Sequence, residues 1–241
     1  MSYRTLWNWV LRRWSGLLLL FSGVLLPLVI FGAIAEDVLE AEPFPLEERL
    51  MWAIHGLSAD WLNTAMLTLS TIGGGTVMAI VCPLLALAFW RISRRLSVFL
   101  LLALGGAALI NLVLKLIFVR ARPELWEPLV RMTDHSFPSG HAMFSMTLAV
   151  SLLAVYWYTP YRRTVFILGA LYTLLMGFSR MYIGVHYPTD VLSGWLCGLA
   201  WTVGLVRILL PERKFKPSEL LEGPEQSAAA GPPKGRPGDS L

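Results

Sequence analysis

Two of the chain's four histidines, His141 and His186, stand at the edges of long apolar runs, beside residues that can hold an anion. His141 closes "FPSGH", residues 137–141, directly before "AMFSMTLAVSLLAVYWY". Pro138 suits the first turn of a helix, Ser139 is a capping residue, and Gly140 lets a backbone amide approach a ligand with no side chain in the way. The free N–H groups and positive dipole end of the helix that follows make an anion site. A plain N-cap explains Pro138 and Ser139 as well, but leaves His141 without a reason. His186 lies in "SRMYIGVHYPTD", after Ser179 and Arg180, with Pro188 able to open the next helix. Asp190, four positions on, either complements that helix's dipole or holds one imidazole nitrogen and leaves the other with its lone pair outward. Lys115 and Arg122, seven positions apart in "KLIFVRARP", can point the same way after two helical turns. Taken alone, Lys115 could snorkel, and Arg120 and Arg122 could be ordinary interface cations.

Together these groups suit a phosphate. Guanidinium and ammonium groups with backbone N–H donors neutralise the phosphoryl oxygens and fix the phosphorus in line. His186, its tautomer set by Asp190, is the better nucleophile. His141 then serves as the general acid that protonates the departing oxygen and afterwards activates water. His135, next to Asp134, is a secondary candidate for phosphate or leaving-group binding, and a solvated loop histidine is the competing reading.

The elements that position these residues are read from apolar runs. Of 241 residues 56% are hydrophobic and 15% charged, with a mean hydropathy of +0.60, which excludes an ordinary soluble domain. About 20 apolar residues of helix cross a bilayer. Six segments serve: 16–35, 72–90, 97–118, 142–158, 164–181 and 189–210. The fold class expected is an all-α, polytopic six-helix bundle, with an interfacial helix around 51–71. Arg4, Arg12, Arg13, Arg91, Arg94, Arg95, Arg162, Arg163, Arg207, Arg213, Lys214 and Lys216 all fall on one side of such a bundle. By the positive-inside rule that side is the cytoplasm, so both termini are inside and loops 36–71, 119–141 and 182–188 face out. A basic start, an apolar run and "AIA" before Glu36 also fit a cleaved signal, but the run's length favours an uncleaved first span. Because the spans alternate in direction, the end of the third, the start of the fourth, the end of the fifth and the start of the sixth meet at the outer surface. That surface gathers Lys115, Arg122, Ser139, His141, Arg180, His186 and Asp190.

Cys82 and Cys197 lack the spacing of a zinc or redox motif and read as packing residues. Gly73, Gly74 and Gly75 lack the Lys-Ser or Lys-Thr of a phosphate loop; close helix approach or a loop at the membrane edge accounts for them, for Gly105 and Gly106, and for Gly194 with Gly198. After about 216 the chain turns to Pro, Gly, Ser and Ala, the composition of a disordered cytoplasmic tail, leaving 1–215 as one membrane domain.

Lys115 with six residues before Arg122-Pro123, "PSGH" at 138–141, and Ser179-Arg180 with five residues before His186 and three more before Asp190 resemble the three-part signature of the type-2 phosphatidic acid phosphatase family. The resemblance covers about residues 50–210. It implies a six-span lipid phosphatase that works without metal or cofactor through a phosphohistidine on His186. It also implies His141 as acid, Asp190 as orienting carboxylate, and Lys115, Arg122, Ser139, Gly140 and Arg180 as phosphate ligands; beside these, Pro138 and His135 stand as secondary candidates. Bacterial relatives dephosphorylate undecaprenyl diphosphate, phosphatidylglycerol phosphate, phosphatidic acid or lipid A, and a polyprenyl diphosphate is the first choice. The partners expected are a lipid phosphate and the bilayer, not nucleic acid; the sequence sets no oligomeric state. A phosphotransferase would share every residue. A metal-dependent hydrolase built on His135, His141, His186 and the aspartates would have to hold its ion against the cations at 115, 122 and 180. A transporter would need charges within spans two, five or six, which are nearly free of them.

Overall fold

The structure, a computed structural model, describes residue 14, residues 16–41 and residues 44–210. The N-terminal arginines at 4, 12 and 13 and the tail expected after 216 lie outside the described residues.

Helix α1 covers Gly16–Leu39 and widens to a π-helical turn at Phe21–Leu25, where Pro27 has no N–H to offer the preceding turn. The rest follow as α2 Pro45–His55, α3 Asp60–Ile72, α4 Gly75–Trp90, α5 Arg94–Phe118, α6 Gly140–Tyr156, α7 Arg162–Tyr182 and α8 Pro188–Leu209. No strand occurs among the described residues. Pro45 and Pro188 open their helices from first-turn positions, where a missing N–H costs nothing.

Four helices, α1, α5, α7 and α8, are long and apolar enough to cross a bilayer. Helices α3 and α4 meet the requirement only as a pair bent by 48° at Gly73 and Gly74, which raises the number to five. Helix α6 has 17 residues, about 26 Å at 1.5 Å per residue, short of a full hydrocarbon crossing. The expectation of six spans therefore narrows to four or five on length and composition. The stretch 51–71, read as one interfacial helix, is instead parts of two helices separated by a turn at Gly56–Ala59.

Helix α6 is the centre, packed on α5, α7 and α8, while α1 lies against α8 at the periphery. Half of the apolar window of α8 is buried but only 11% of that of α1. Leu109, Leu112, Leu116, Ile167, Leu168 and Leu171 turn outward, giving the surface a hydrocarbon layer covers. Inside a bilayer close backbone approach replaces hydrophobic collapse as the packing rule. A Cβ on Gly194 would come 2.5 Å from Ser139 O, and one on Gly198 2.6 Å from Met143 O. Gly106 admits the Trp201 indole, whose Nε1 donates to Ala103 O at 3.0 Å. Gly105 has nothing within 4 Å of its Cβ position, so close approach does not account for it. Cys82 is half-buried, Cys197 buried, and both are free.

Phe89, Leu96, Phe99, Val155, Leu205 and Leu210 form one core cluster, which fixes the end of α4, the start of α5 and the ends of α6 and α8 at one pole. The end of α5, the start of α6, the end of α7 and the start of α8 meet at the other.

Candidate active site

At that second pole α5 ends in Val119, a β-branched residue at φ 45°. Such a backbone is strained for any side chain but glycine. From there Arg120 and Arg122 depart toward different partners. The turn before α6 is fixed by backbone bonds. Asn111 Nδ2 donates to Pro138 O at 3.0 Å, and Ser139 N donates to Asp190 O at 3.0 Å. The Phe137–Pro138 peptide is cis. Pro138 lies just before the N-cap and not in the first turn, because the helix begins at Gly140 with Ser139 as N-cap. Ser139 occupies the cap position but its hydroxyl makes no capping bond; Oγ is buried and without a hydrogen-bond partner.

His186 sits between α7 and α8 and is 1% exposed. Its Nδ1 faces Asp190 Oδ2 at 3.4 Å, and its Nε2 faces Arg122 Nη1 at 3.4 Å. A carboxylate only accepts and a guanidinium only donates. Both contacts therefore agree on one tautomer, with hydrogen on Nδ1 and the lone pair on Nε2. Burial, then the charges of Arg180, Arg122 and Lys115, push this imidazole well below its ordinary range, against the opposing pull of Asp134. The ring is neutral at physiological pH. Asp190, wholly buried, also accepts from Tyr187 N at 2.9 Å and from Arg120 Nη1 at 2.6 Å.

Lys115 and Arg122 both bind the Asp134 carboxylate, Arg122 Nη2 at 2.6 Å and Lys115 in a short ion pair. Burial raises the Asp134 carboxyl, but hydrogen bonds and charge from Lys115 and Arg122 outweigh it and hold it at about 2. Lys115 Nζ also donates to His135 O at 2.7 Å, so His135 joins the cluster through its carbonyl.

The third group centres on Ser70, in the last turn of α3 before the bend. Its carbonyl lies 3.1 Å from His141 Nε2, and its hydroxyl meets Arg180 Nη1. Since a carbonyl oxygen only accepts, the contact keeps a hydrogen on Nε2 of His141. Arg180 is 2% exposed, yet its Nε and Nη2 find no acceptor among the described residues. Unpaired buried guanidinium donors are costly. Together with the free Ser139 hydroxyl they form a donor set suited to oxyanions.

All the residues singled out in the sequence thus lie at one pole, though Asp134 stands between Lys115 and Arg122. Sequence reasoning passed over four others, Asn111 under the turn, Ser70 under His141 and Arg180, and Glu47 and Thr189 behind Asp190, and gave Arg120, which joins them there, only the reading of an interface cation. Trp126 stacks on His55 at 4.2 Å between ring centroids and leans on Gly184, whose φ of +84° favours glycine. Phe137 is buried against Phe31 and Phe118.

The helical bundle with this pole defines a class of membrane protein, and the chain belongs to the PAP2 superfamily, whose family model matches residues 96–214. It is 38% identical over 144 residues to the undecaprenyl-diphosphatase of Sulfolobus acidocaldarius, covering 57% of this chain and 66% of that protein. It is 32% identical over 160 residues to phosphatidylglycerophosphatase B of Bacillus subtilis, covering 64% and 78%. Among solved structures, the PAP2-type phosphatidylglycerolphosphate phosphatase of Bacillus subtilis superposes with a TM-score of 0.70 at 26% identity, over 80% of this chain and 98% of that one. LpxE of Aquifex aeolicus superposes with a TM-score of 0.59 at 25% identity, over 69% and 98%. The chain is accordingly a multi-pass membrane protein related to lipid phosphatases.

Proposed function

We propose that the protein is a lipid phosphatase that removes phosphate from a lipid phosphomonoester or diphosphate through a phosphohistidine on His186, without a metal. The observation that carries this reading is the tautomer of His186: Asp190 occupies the Nδ1 side and leaves the Nε2 lone pair facing the guanidinium of Arg122. A phosphoryl group held by Arg122, Lys115, Arg180, Ser139 and the Gly140 amide would stand at that lone pair. The Nε2 lone pair forms the N–P bond as the P–O bond to the leaving group breaks. The departing oxygen takes a proton from Nδ1 of His141, which enters the step doubly protonated and keeps its Nε2–H on the Ser70 carbonyl. Water then gives a proton back to His141 while its oxygen forms the new P–O bond, and the N–P bond breaks to release inorganic phosphate and neutral His186. Arg180, whose Nε and Nη2 are unpaired, supplies donors for charge that grows on the equatorial oxygens.

Undecaprenyl diphosphate or a similar polyprenyl diphosphate is the first substrate choice, supported by the Sulfolobus acidocaldarius relative; phosphatidylglycerol phosphate and phosphatidic acid follow. The membrane domain of 1–215 crosses six times, with α6 and the bent pair α3–α4 each counted as a span. Both termini are cytoplasmic and the site faces outward. What supports that orientation is the basic residues Arg91, Arg94, Arg95, Arg162, Arg163 and Arg207 at the opposite pole. The test is phosphate release from a panel of purified lipid phosphates and diphosphates in detergent with EDTA. His186→Ala is expected to lower turnover on the order of 10⁴-fold or more, and undiminished turnover would reject His186 as nucleophile.

A further inference from the structure

Arg120 and Arg122 are separated by one residue and address the same imidazole from opposite sides. Arg122 faces Nε2 directly. Arg120 reaches the other side through Asp190, donating from Nη1 to Oδ1 at 2.6 Å. The same Nη1 donates to Thr189 Oγ1 at 2.8 Å, and Nη2 donates to Glu47 Oε2 at 2.9 Å. Glu47 in turn accepts from Thr189 N at 3.0 Å and from the Thr189 hydroxyl. The guanidinium lies over the Tyr187 ring at 4.4 Å and near Phe44 at 5.4 Å. Arg120 and Glu47 side chains are 15% and 8% exposed. Both terminal nitrogens are thus committed to protein oxygens, and none of the Arg120 contacts belongs to the group around Arg180, Ser139 and His141.

A buried carboxylate stays ionised and fixed only when it is paired and hydrogen-bonded. Asp190 has no exposed surface, and Arg120 is the cation it pairs with. A planar guanidinium can bridge two carboxylates in a set geometry, which an ammonium cannot. We propose that Arg120, locked from behind by Glu47 of α2, is a positioning residue that holds the Asp190 carboxylate against the Nδ1 side of His186. The inference rests on the reading of His186 as nucleophile. It makes α2, a short helix outside the bundle's centre, part of the catalytic support through a single side chain.

The experiment compares steady-state kinetics of the full-length protein in detergent, on the best lipid phosphate of the panel, for wild type, R120Q, R120K, E47Q and H186A. Loss of an outer partner that orients a functional group costs about 10- to 100-fold. That fall is expected in kcat for R120Q, with KM within about threefold because Arg120 is turned away from the phosphate group. R120K, which keeps the charge and loses the fork, is expected between R120Q and wild type, and E47Q to lose about 3- to 10-fold in kcat. A merely structural role would not give a kcat-only loss graded by the charge at 120 in variants with wild-type thermal transitions. Wild-type kcat in R120Q, or a loss confined to KM, overturns the inference while an inactive H186A leaves the nucleophile reading standing. An active H186A removes the nucleophile reading itself. Should R120Q not yield monodisperse protein, R120K and E47Q decide, and wild-type kcat in both overturns the inference.

Discussion

At His186 the two ring nitrogens have different neighbours, an anion on Nδ1 and a cation near Nε2, and this asymmetry has a pH signature. Protonation removes the lone pair, and burial with the charges of Arg180, Arg122 and Lys115 opposes protonation. The acid limb of kcat/KM, corrected for ionisation of the substrate, is therefore expected below the ordinary imidazole value of about 6.5. A limb at or above that value would contradict the reading. Stability carries the same sign: the unfolded chain binds the proton more readily, so the contribution of this histidine is present above about 6.5 and is lost as pH falls through the lower folded value. Substitution of His141 is expected to harm a substrate with an alkoxide leaving group far more than an activated aryl phosphate, and equal losses would point to a structural role. His141, His186 and Asp190 were legible in the sequence because ionisable groups in an oily chain need a reason. Arg120 was not, since its spacing from Arg122 gives no sign that the two diverge, and Glu47 lies far from Asp190 in sequence. The backbone carbonyl of Ser70 leaves no side-chain signature at all.

Among the elements, the turn into α6 depends on two glycine-backed approaches. A methyl group on Gly194 would press on Ser139 O at 2.5 Å and Met143 N at 3.1 Å, both backbone atoms that cannot step aside. Gly194→Ala is expected to cost about 1–3 kcal/mol, as overpacking does, and to lower activity through displacement of Ser139. Gly105→Ala meets open space and is expected to leave the thermal transition unchanged or raise it. Equal transitions for the two variants in detergent would remove the glycine argument. Hydropathy located α1, α5, α7 and α8 well, because long apolar runs have few alternatives in a bilayer. It blurred α3 and α4, where Gly73 and Gly74 break one run into two bent halves just past Ser70, whose carbonyl meets His141. Helix α6 reads as a span but stops at 17 residues; its start is drawn to the site by Asn111 and Asp190, partners that no local pattern reveals.

For the whole molecule, alternation of the helices separates a basic pole from the pole that holds the histidines. A reporter fused after Arg131 is expected to be active only outside the cytoplasm, and one fused after Tyr161 only within it. The reverse pattern would invert the orientation. Turnover is expected to persist in EDTA, and its loss there with restoration by a divalent cation would replace the proposed chemistry. Asp134 is paired with both Lys115 and Arg122, the two cations that the proposed mechanism turns toward the phosphate. On the proposed reading, binding of a phosphorylated lipid would exchange one anion for another, and its favourable part would be the difference between a doubly charged oxyanion and a single carboxylate. A monovalent anion would gain almost nothing from that trade, because it would only replace one single charge by another.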